Sequence, residues 1–395
     1  MTSWPIVTVA DIAARSKNAM ATGPFGSSIA SRFFRPFGVP IVRGSNLSTD
    51  PEIRFRDADL VFLDAEKAIE FSRSIAKQGD LIFSCWGTIN QVGLLDGTSA
   101  YREYVISNKQ MKLTPDRNIV LPEFLYYLFS GPEMQREILG GAVGTGVPGF
   151  NLTRLKSLKL RLPPMDEQRD IADALSSGDR LVAGLVNLIS KKRKIKQGLM
   201  QELLTGRMRL PGFSRQWQTA TFGDVVRIQR GSMLTRAEAG VGRVPVIAGG
   251  KTPAGYTDRP NRIGRTITIS ASGASAGYVA IHDGPIFASD CSTISGSRAF
   301  DLDFIYYSLL LRQDVIYQAQ TGGAQPHIHA RDIYPIEVRM PATVDEQKAI
   351  SRVLRDADEE ITALERRLES ARAIKQGMMQ ELLTGRTRLT EEVAA

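Results

Sequence analysis

Apolar positions along the chain follow two rhythms in alternating blocks. From residue 1 to about 161, short apolar runs are bounded by Gly, Pro and Asp, at Val39–Val42, Leu81–Ser84, 92–95, 111–113 and 158–162. Runs of this length and setting predict strands. The stretch PEFLYYLF at 122–129, with proline at its start, predicts a short helix. After Pro163 and Pro164 the period changes. Val182, Leu185, Ile189, Leu199 and Leu203 fall at helical spacing, with Gly178, Lys192 and Lys196 in the intervening slots. Steps of four and three alternate, the signature of a coiled-coil seam. Short runs then return from 217 to about 340. A second helical block follows, with Ala357, Ile361, Leu364, Leu368, Ala371, Met378 and Leu382 on its seam. The pattern predicts an α+β chain of two globular domains, each followed by a long helix.

The helical blocks are copies of each other. IKQGLMQELLTGRMRL at 195–210 returns as IKQGMMQELLTGRTRL at 374–389, differing only at Leu199/Met378 and Met208/Thr387. DEQ at 166–168 returns on the same offset at 345–347. Such self-similarity is the mark of a duplicated architecture. Each helix should run for about 40 residues, or roughly 60 Å at 1.5 Å per residue, and end at a glycine cap, Gly206 or Gly385. A helix that long cannot bury its stripe alone, and its own copy is the obvious partner. Gly198 and Gly377 recur in mid-helix at a cost of roughly 1 kcal/mol each, which points to a close helix crossing or to a docking surface.

The globular blocks share a frame rather than a sequence. Asp11 answers Asp224, 39–44 answers 244–249, 84–87 answers 270–273 and 123–127 answers 303–307. The offset shrinks along the chain, so the loops between these anchors differ in length. The expected divisions are 1–162 (first domain), 163–207 (first helix), 208–216 (linker), 217–341 (second domain), 342–386 (second helix) and 387–395 (tail).

With 395 residues the chain can build two or three cores. The N-terminus has no basic stretch followed by an apolar one, and no run approaches eighteen apolar residues, so neither a signal peptide nor a membrane span is expected. Two cysteines, Cys85 and Cys291, exclude a disulfide scaffold and fit a reducing cytoplasm. A net charge of +8 favours a polyanionic partner.

A search for catalytic chemistry gives nothing. Gly250-Lys251-Thr252 ends like a phosphate loop, but Pro245 stands where its first glycine belongs. His327 and His329 lack the further ligands that a metal set needs, and Cys85 and Cys291 read as small buried residues. No cofactor and no metal are expected. Loops mixing Arg, Tyr and Asn are the better signal, because the guanidinium fork matches a guanine edge or a phosphate. The candidates for DNA contact are Arg43, Asn46, Arg54, Arg56, Arg73, Trp86 and Lys109 in the first domain. In the second they are Lys251, Tyr256, Arg259, Arg262, Arg265, Ser272 and His327. The tract KKRKIK at 191–196 could face a phosphate backbone, an acidic partner or water, and a solvated face is the favoured reading.

LPPMDEQ at 162–168 opening a helix and KQGLMQELLTG at 196–206 closing it are the most specific motifs. GDLIFS at 79–84 and GASAGYV at 273–279 support them, while the second helix opens with PATVDEQ at 341–347 and lacks the double proline. Over essentially its whole length the chain resembles the DNA-specificity subunit of type I restriction-modification enzymes. The resemblance implies that each domain recognises one half of a split, asymmetric site on double-stranded DNA. It implies that the two helices pair antiparallel, set the spacing and bind two methyltransferase (modification) subunits, with motor-nuclease (restriction) subunits joining for cleavage. It also implies a non-catalytic subunit, in agreement with the empty search. Base-contacting residues do not transfer, because these domains vary with their targets. The alternative is a non-catalytic coiled-coil scaffold with two ligand- or protein-binding end domains, which would show no salt-sensitive DNA affinity. A standalone restriction enzyme would need methyltransferase or nuclease motifs that the chain lacks.

Overall fold

A computed structural model describes residues 4–140, 149–234, 240, 242–323 and 325–389, so that residues 390–395 of the expected tail lie outside it. The chain divides into two compact units, Met1–Leu185 with Arg367–Ala395, and Val186–Arg366.

In the first unit the short apolar runs form two four-stranded sheets. One has the order Met20–Thr22, Gln110–Leu113, Leu81–Ser84, Val92–Leu94, with every neighbour antiparallel. The other has the order Val61–Leu63, Val39–Val42, Glu103–Ile106, Ile75–Lys77, and its middle pair is parallel. Leu81–Ser84 reads as a continuous run because it is buried throughout. Pro122–Ser130 is a helix with proline in its first turn, and it buries every residue from Phe124 to Phe129. A helix apolar on all sides belongs inside a core. Phe129 meets Phe83 edge-to-face, with ring centroids 4.8 Å apart. Ile6–Thr8 pairs with Lys159–Arg161, bringing the start of the domain to its end, just before the first long helix.

The second unit repeats this plan. Gln229–Arg230, Cys291–Ser295, Thr266–Ser270 and Val279–His282 form one sheet, in the order of the first unit's antiparallel sheet. Gly255–Thr257, Val244–Ile247 and Phe287–Ala288 form the other, and its pair of Val244–Ile247 with Phe287–Ala288 is parallel like the middle pair of the first unit's sheet. Gln218–Thr221 pairs with Glu337–Met340. The Asp11 and Asp224 anchors each cap a turn. Their carboxylates accept from the amide and hydroxyl of Thr8 and Thr221, bonds that lower both acids below the usual range.

The long helices are Met165–Leu203 and Val344–Leu382, of 39 residues each. Within the first unit the start of the first helix lies antiparallel to the end of the second, with Glu167 facing Arg388 and Asp179 facing Lys375. Within the second unit Lys192 faces Glu360, Lys196 faces Asp358 and Arg209 faces Glu346. In both, a step forward on one helix is answered by a step back on the other.

Of the expected seam, Val182 and Leu185 in the first unit and Ile189 and Ile361 in the second are buried. Leu368, Met378, Leu199 and Leu364 are half-buried. Leu382 and Leu203 are also buried, but in the cores of the globular domains. There they join Ile171 and Leu175, and Ile350 and Leu354, which the heptad reading passed over. The helix ends are therefore domain elements as much as coiled coil.

Two further expectations change. A Cβ built on Gly198 or Gly377 would meet nothing within 4 Å, so neither glycine permits a close helix crossing. The tract at 191–196 is only partly solvated. Lys192, Arg193 and Lys196 pair with Glu360, Glu365 and Asp358 at 2.5–2.6 Å, because the antiparallel partner presents its acidic stretch there. Among the described residues, no helix is long and apolar enough to cross a membrane.

A candidate nucleic-acid interface and the clasps behind it

The repeated polar motifs hold each domain to its helices, and they do it identically in both units. Glu167 and Glu346, the middle residues of the two DEQ motifs, are nearly inaccessible. Glu346 accepts from Arg209 Nε at 2.7 Å, Arg209 Nη2 at 3.1 Å and the Trp217 indole at 3.0 Å. Glu167 accepts from Arg388 Nε at 2.7 Å, Arg388 Nη2 at 2.5 Å and the Trp4 indole at 3.0 Å. Each bidentate pair joins the opening of one helix copy to the TGRxR ending of the other, and each arginine lies over the tryptophan it shares a carboxylate with. Gly206 and Gly385 make the approach possible. Both sit at positive φ, and a Cβ there would press on Trp217 or Trp4 at 3.1–3.2 Å. The neighbouring glutamines reach into the domains, where Gln168 Oε1 takes the amide of Leu121 and Gln347 Oε1 that of Asp301, ahead of the buried helix in each domain.

A second clasp lies further along. The Tyr127 hydroxyl donates to Asp179, which pairs with the buried Lys375 ammonium. The Tyr307 hydroxyl donates to Asp358 at 2.8 Å, and Asp358 pairs with Lys196. Burial, and then the bond to Asp179, push the Tyr127 phenol up to about 12. It therefore stays a donor at neutral pH.

Four of the residues expected to contact DNA are committed inside their own unit. Asn46 is fully buried, accepting from Arg43 N and donating to the carbonyls of Arg56 and Ala58. Arg54 pairs with Asp96 at 3.1 Å and donates to Tyr127 Oη and Ser176 Oγ, both at 2.8 Å. Arg262 spends its fork on Thr293 Oγ1 and the carbonyls of Asn261 and Arg230. Arg265 bridges Asp303 at 2.7 Å and Asp283 at 3.2 Å. The same five donors that suit a guanine edge also suit loop carbonyls and carboxylates, and composition cannot separate the two uses. Half-buried Arg43 likewise donates to Asp59 O.

Arg56, Arg73, Trp86, Lys109, Lys251, Tyr256 and Arg259 are exposed, and Ser272 and His327 are half-buried. The fold gathers some of these. Trp86, half exposed, follows the strand Leu81–Ser84 and bridges Gly149, and Lys109 O accepts from the adjacent Cys85 N. Ser272, at the corresponding place after Thr266–Ser270, bridges His327, whose ring stacks on that of His329. Lys251 lies over the Tyr278 ring just past Gly249, whose carbonyl accepts from Ser270 Oγ. Arg73 sits apart, in the turn Ser72–Ser74, and Tyr256 lies on the strand Gly255–Thr257.

The two thiols are not poised as nucleophiles. Burial pushes the Cys85 thiol up to about 12 and the Cys291 thiol up to about 11, away from reactive thiolate. Among the described residues no group of three or more His, Cys, Asp or Glu could hold a metal ion. What the loop ends offer is donors, acceptors and an exposed aromatic ring.

A family model described as the type I restriction modification DNA specificity domain matches residues 65–194 and 214–371. A relative from Methanocaldococcus jannaschii, provisionally named the specificity subunit of type I restriction enzyme MjaX, is 25% identical over 381 residues, covering 89% of this chain and 88% of its own length. The MjaVIII specificity subunit of the same organism is 24% identical over 337 residues, covering 75% of this chain and 78% of its own. The crystal structure of the type I S subunit from M. genitalium matches with a TM-score of 0.64 over 97% of this chain and 99% of that one. At 18% identity, that likeness speaks for the fold.

Proposed function

The chain belongs to the family of type I restriction-modification DNA specificity subunits, and from that premise we propose that each of its two domains reads one half of a bipartite, asymmetric DNA site. The long helices set the distance between the half-sites and dock two methyltransferase subunits, and motor-nuclease subunits join the same assembly for cleavage. The subunit supplies recognition and no chemistry of its own.

One contrast carries this reading. The clasps repeat residue for residue, Trp4/Trp217, Glu167/Glu346, Asp179/Asp358, Lys375/Lys196 and Arg388/Arg209. The loop ends do not repeat, and Trp86 and Lys109 stand where the second domain has Ser272 and Asp290. A constant frame carrying variable loops is what two different targets require, since sequence is read by side chains at base edges while the frame only positions them.

The test is the methylation map of cells carrying the chain with its partner subunits. The expected motif is bipartite, with unlike halves separated by an unspecified spacer, and a palindromic motif would contradict two unlike readers. DNA binding by the assembled complex should weaken steeply as salt rises, because phosphate contacts release counterions; salt-independent binding would favour a scaffold instead. Incubated alone with S-adenosylmethionine and unmethylated DNA, the purified chain should transfer no methyl groups. Transfer above background without a partner would overturn the non-catalytic assignment.

A further inference from the structure

The two frames put opposite charges at one address. Lys109 precedes the strand Gln110–Leu113, and Asp290 precedes the matching strand Cys291–Ser295. Lys109 O accepts from Cys85 N at 2.7 Å, and Asp290 O accepts from Ala271 N at 3.1 Å. Next to them, Phe150 N donates to Cys85 O at 2.9 Å and Ile328 N to Ala271 O at 3.0 Å. Ser84 pairs with Gln110, and Ser270 with Cys291. The backbones therefore agree bond for bond.

The side chains are opposites. Lys109 is exposed and offers only donors. Asp290 is half-buried and offers only acceptors; Ser272 Oγ donates to its Oδ2, and Oδ1 takes no hydrogen bond among the described residues. The serine fixes the carboxylate, as recognition by a single oxygen requires.

We infer that this address meets a base edge in each half-site, Lys109 donating to O6 and N7 of a guanine and Asp290 accepting from the N4 amino group of a cytosine, both in the major groove. The inference rests on the DNA reading proposed above and adds to it a residue and a base in each half. A carboxylate is repelled by phosphate, so at a DNA-facing loop end its use is against a donor, and the major-groove donors are the amino groups of cytosine and adenine. One oriented oxygen suits cytosine N4. Adenine is held by the two-point fork of Asn or Gln.

Methylation maps of cells carrying the complex with Asp290→Asn or Lys109→Gln test this. Asp290→Asn should relax one cytosine position in one half-site, its preference falling roughly tenfold to a hundredfold, with the other half-site unchanged. Lys109→Gln should relax one guanine in the opposite half-site. The untouched half-site in each map reports that the chain is folded. If Asp290→Asn abolishes methylation entirely, Asp290→Glu, which keeps the acceptor, must restore the wild-type base. Unaltered motifs in both variants, relaxation at any other base, or no rescue by glutamate overturns the inference. A wild-type complex with no bipartite motif would instead overturn the DNA reading beneath it.

Discussion

Arg209→Ala should destabilise the second unit by about 3 kcal/mol. Removing one member of a buried pair leaves the other charge without compensation, at a cost of about 3–5 kcal/mol. The low end applies here because the Arg209 side chain is 27% exposed, whereas that of Glu346 is 2% exposed. Once Arg209 is gone, the Glu346 carboxylate keeps, among the described residues, only the Trp217 indole. Glu346→Gln should cost less. It removes the buried charge, retains an acceptor for Trp217, and leaves an arginine that water can reach. Chemical denaturation followed by tryptophan fluorescence measures both, with exposed Arg207→Ala as a control expected within about 0.5 kcal/mol of wild type. If Arg209→Ala cost less than Glu346→Gln, the clasp would not be held by burial of the carboxylate.

A matched insertion of four residues after Leu185 and four after Arg366 should lengthen the unspecified spacer of the methylated site by one or two base pairs. Four helical residues add about 6 Å, and a base pair rises about 3.4 Å along each strand. Both helices must grow together. Asp179 pairs with Lys375 in the first unit and Lys196 with Asp358 in the second, and lengthening one helix alone would break one set to keep the other. Four residues advance the seam a little beyond one turn, which slight unwinding absorbs. Each added base pair also turns the second half-site by about 34–36°, so DNA and protein share a twist. The half-site sequences should stay as they are. An unchanged spacer with full methylation would show that the helices are not the ruler.

Much of the fold was legible because repetition and period are strong signals. Two near-identical tracts disclosed the duplication, Leu81–Ser84 read as a strand, and the anchors at Asp11 and Asp224 marked a common frame. Less of the site was legible. Asn46, Arg54, Arg262 and Arg265 have the composition of a DNA-binding surface but serve as internal staples, a distinction set by which carbonyls and carboxylates the fold brings beside each side chain. Glu167, Glu346, Arg209 and Arg388 were visible as repeated letters, yet nothing local says that a glutamate in a helix's first turn will be buried. The usable clue was Trp4 and Trp217, which share the offset of the Asp11 and Asp224 anchors. An amphipathic ring repeated beside a repeated acid and a repeated arginine marks a joint that both copies must make. Leu203 and Leu382 fit the heptad but serve the domain cores, because periodicity reports that a face is covered and is silent about what covers it.

The reciprocity of the clasps also has a genetic side. Each joint takes its acid from one copy and its arginine from the other, and the two copies supply the same letters. A crossover within the segments encoding 195–210 and 374–389 therefore rejoins helix to helix in frame. Each helix copy in a product still carries one acid at its opening and one arginine at its ending. On the DNA reading proposed above, a domain exchanged at such a joint would bring a new target without a new interface having to evolve.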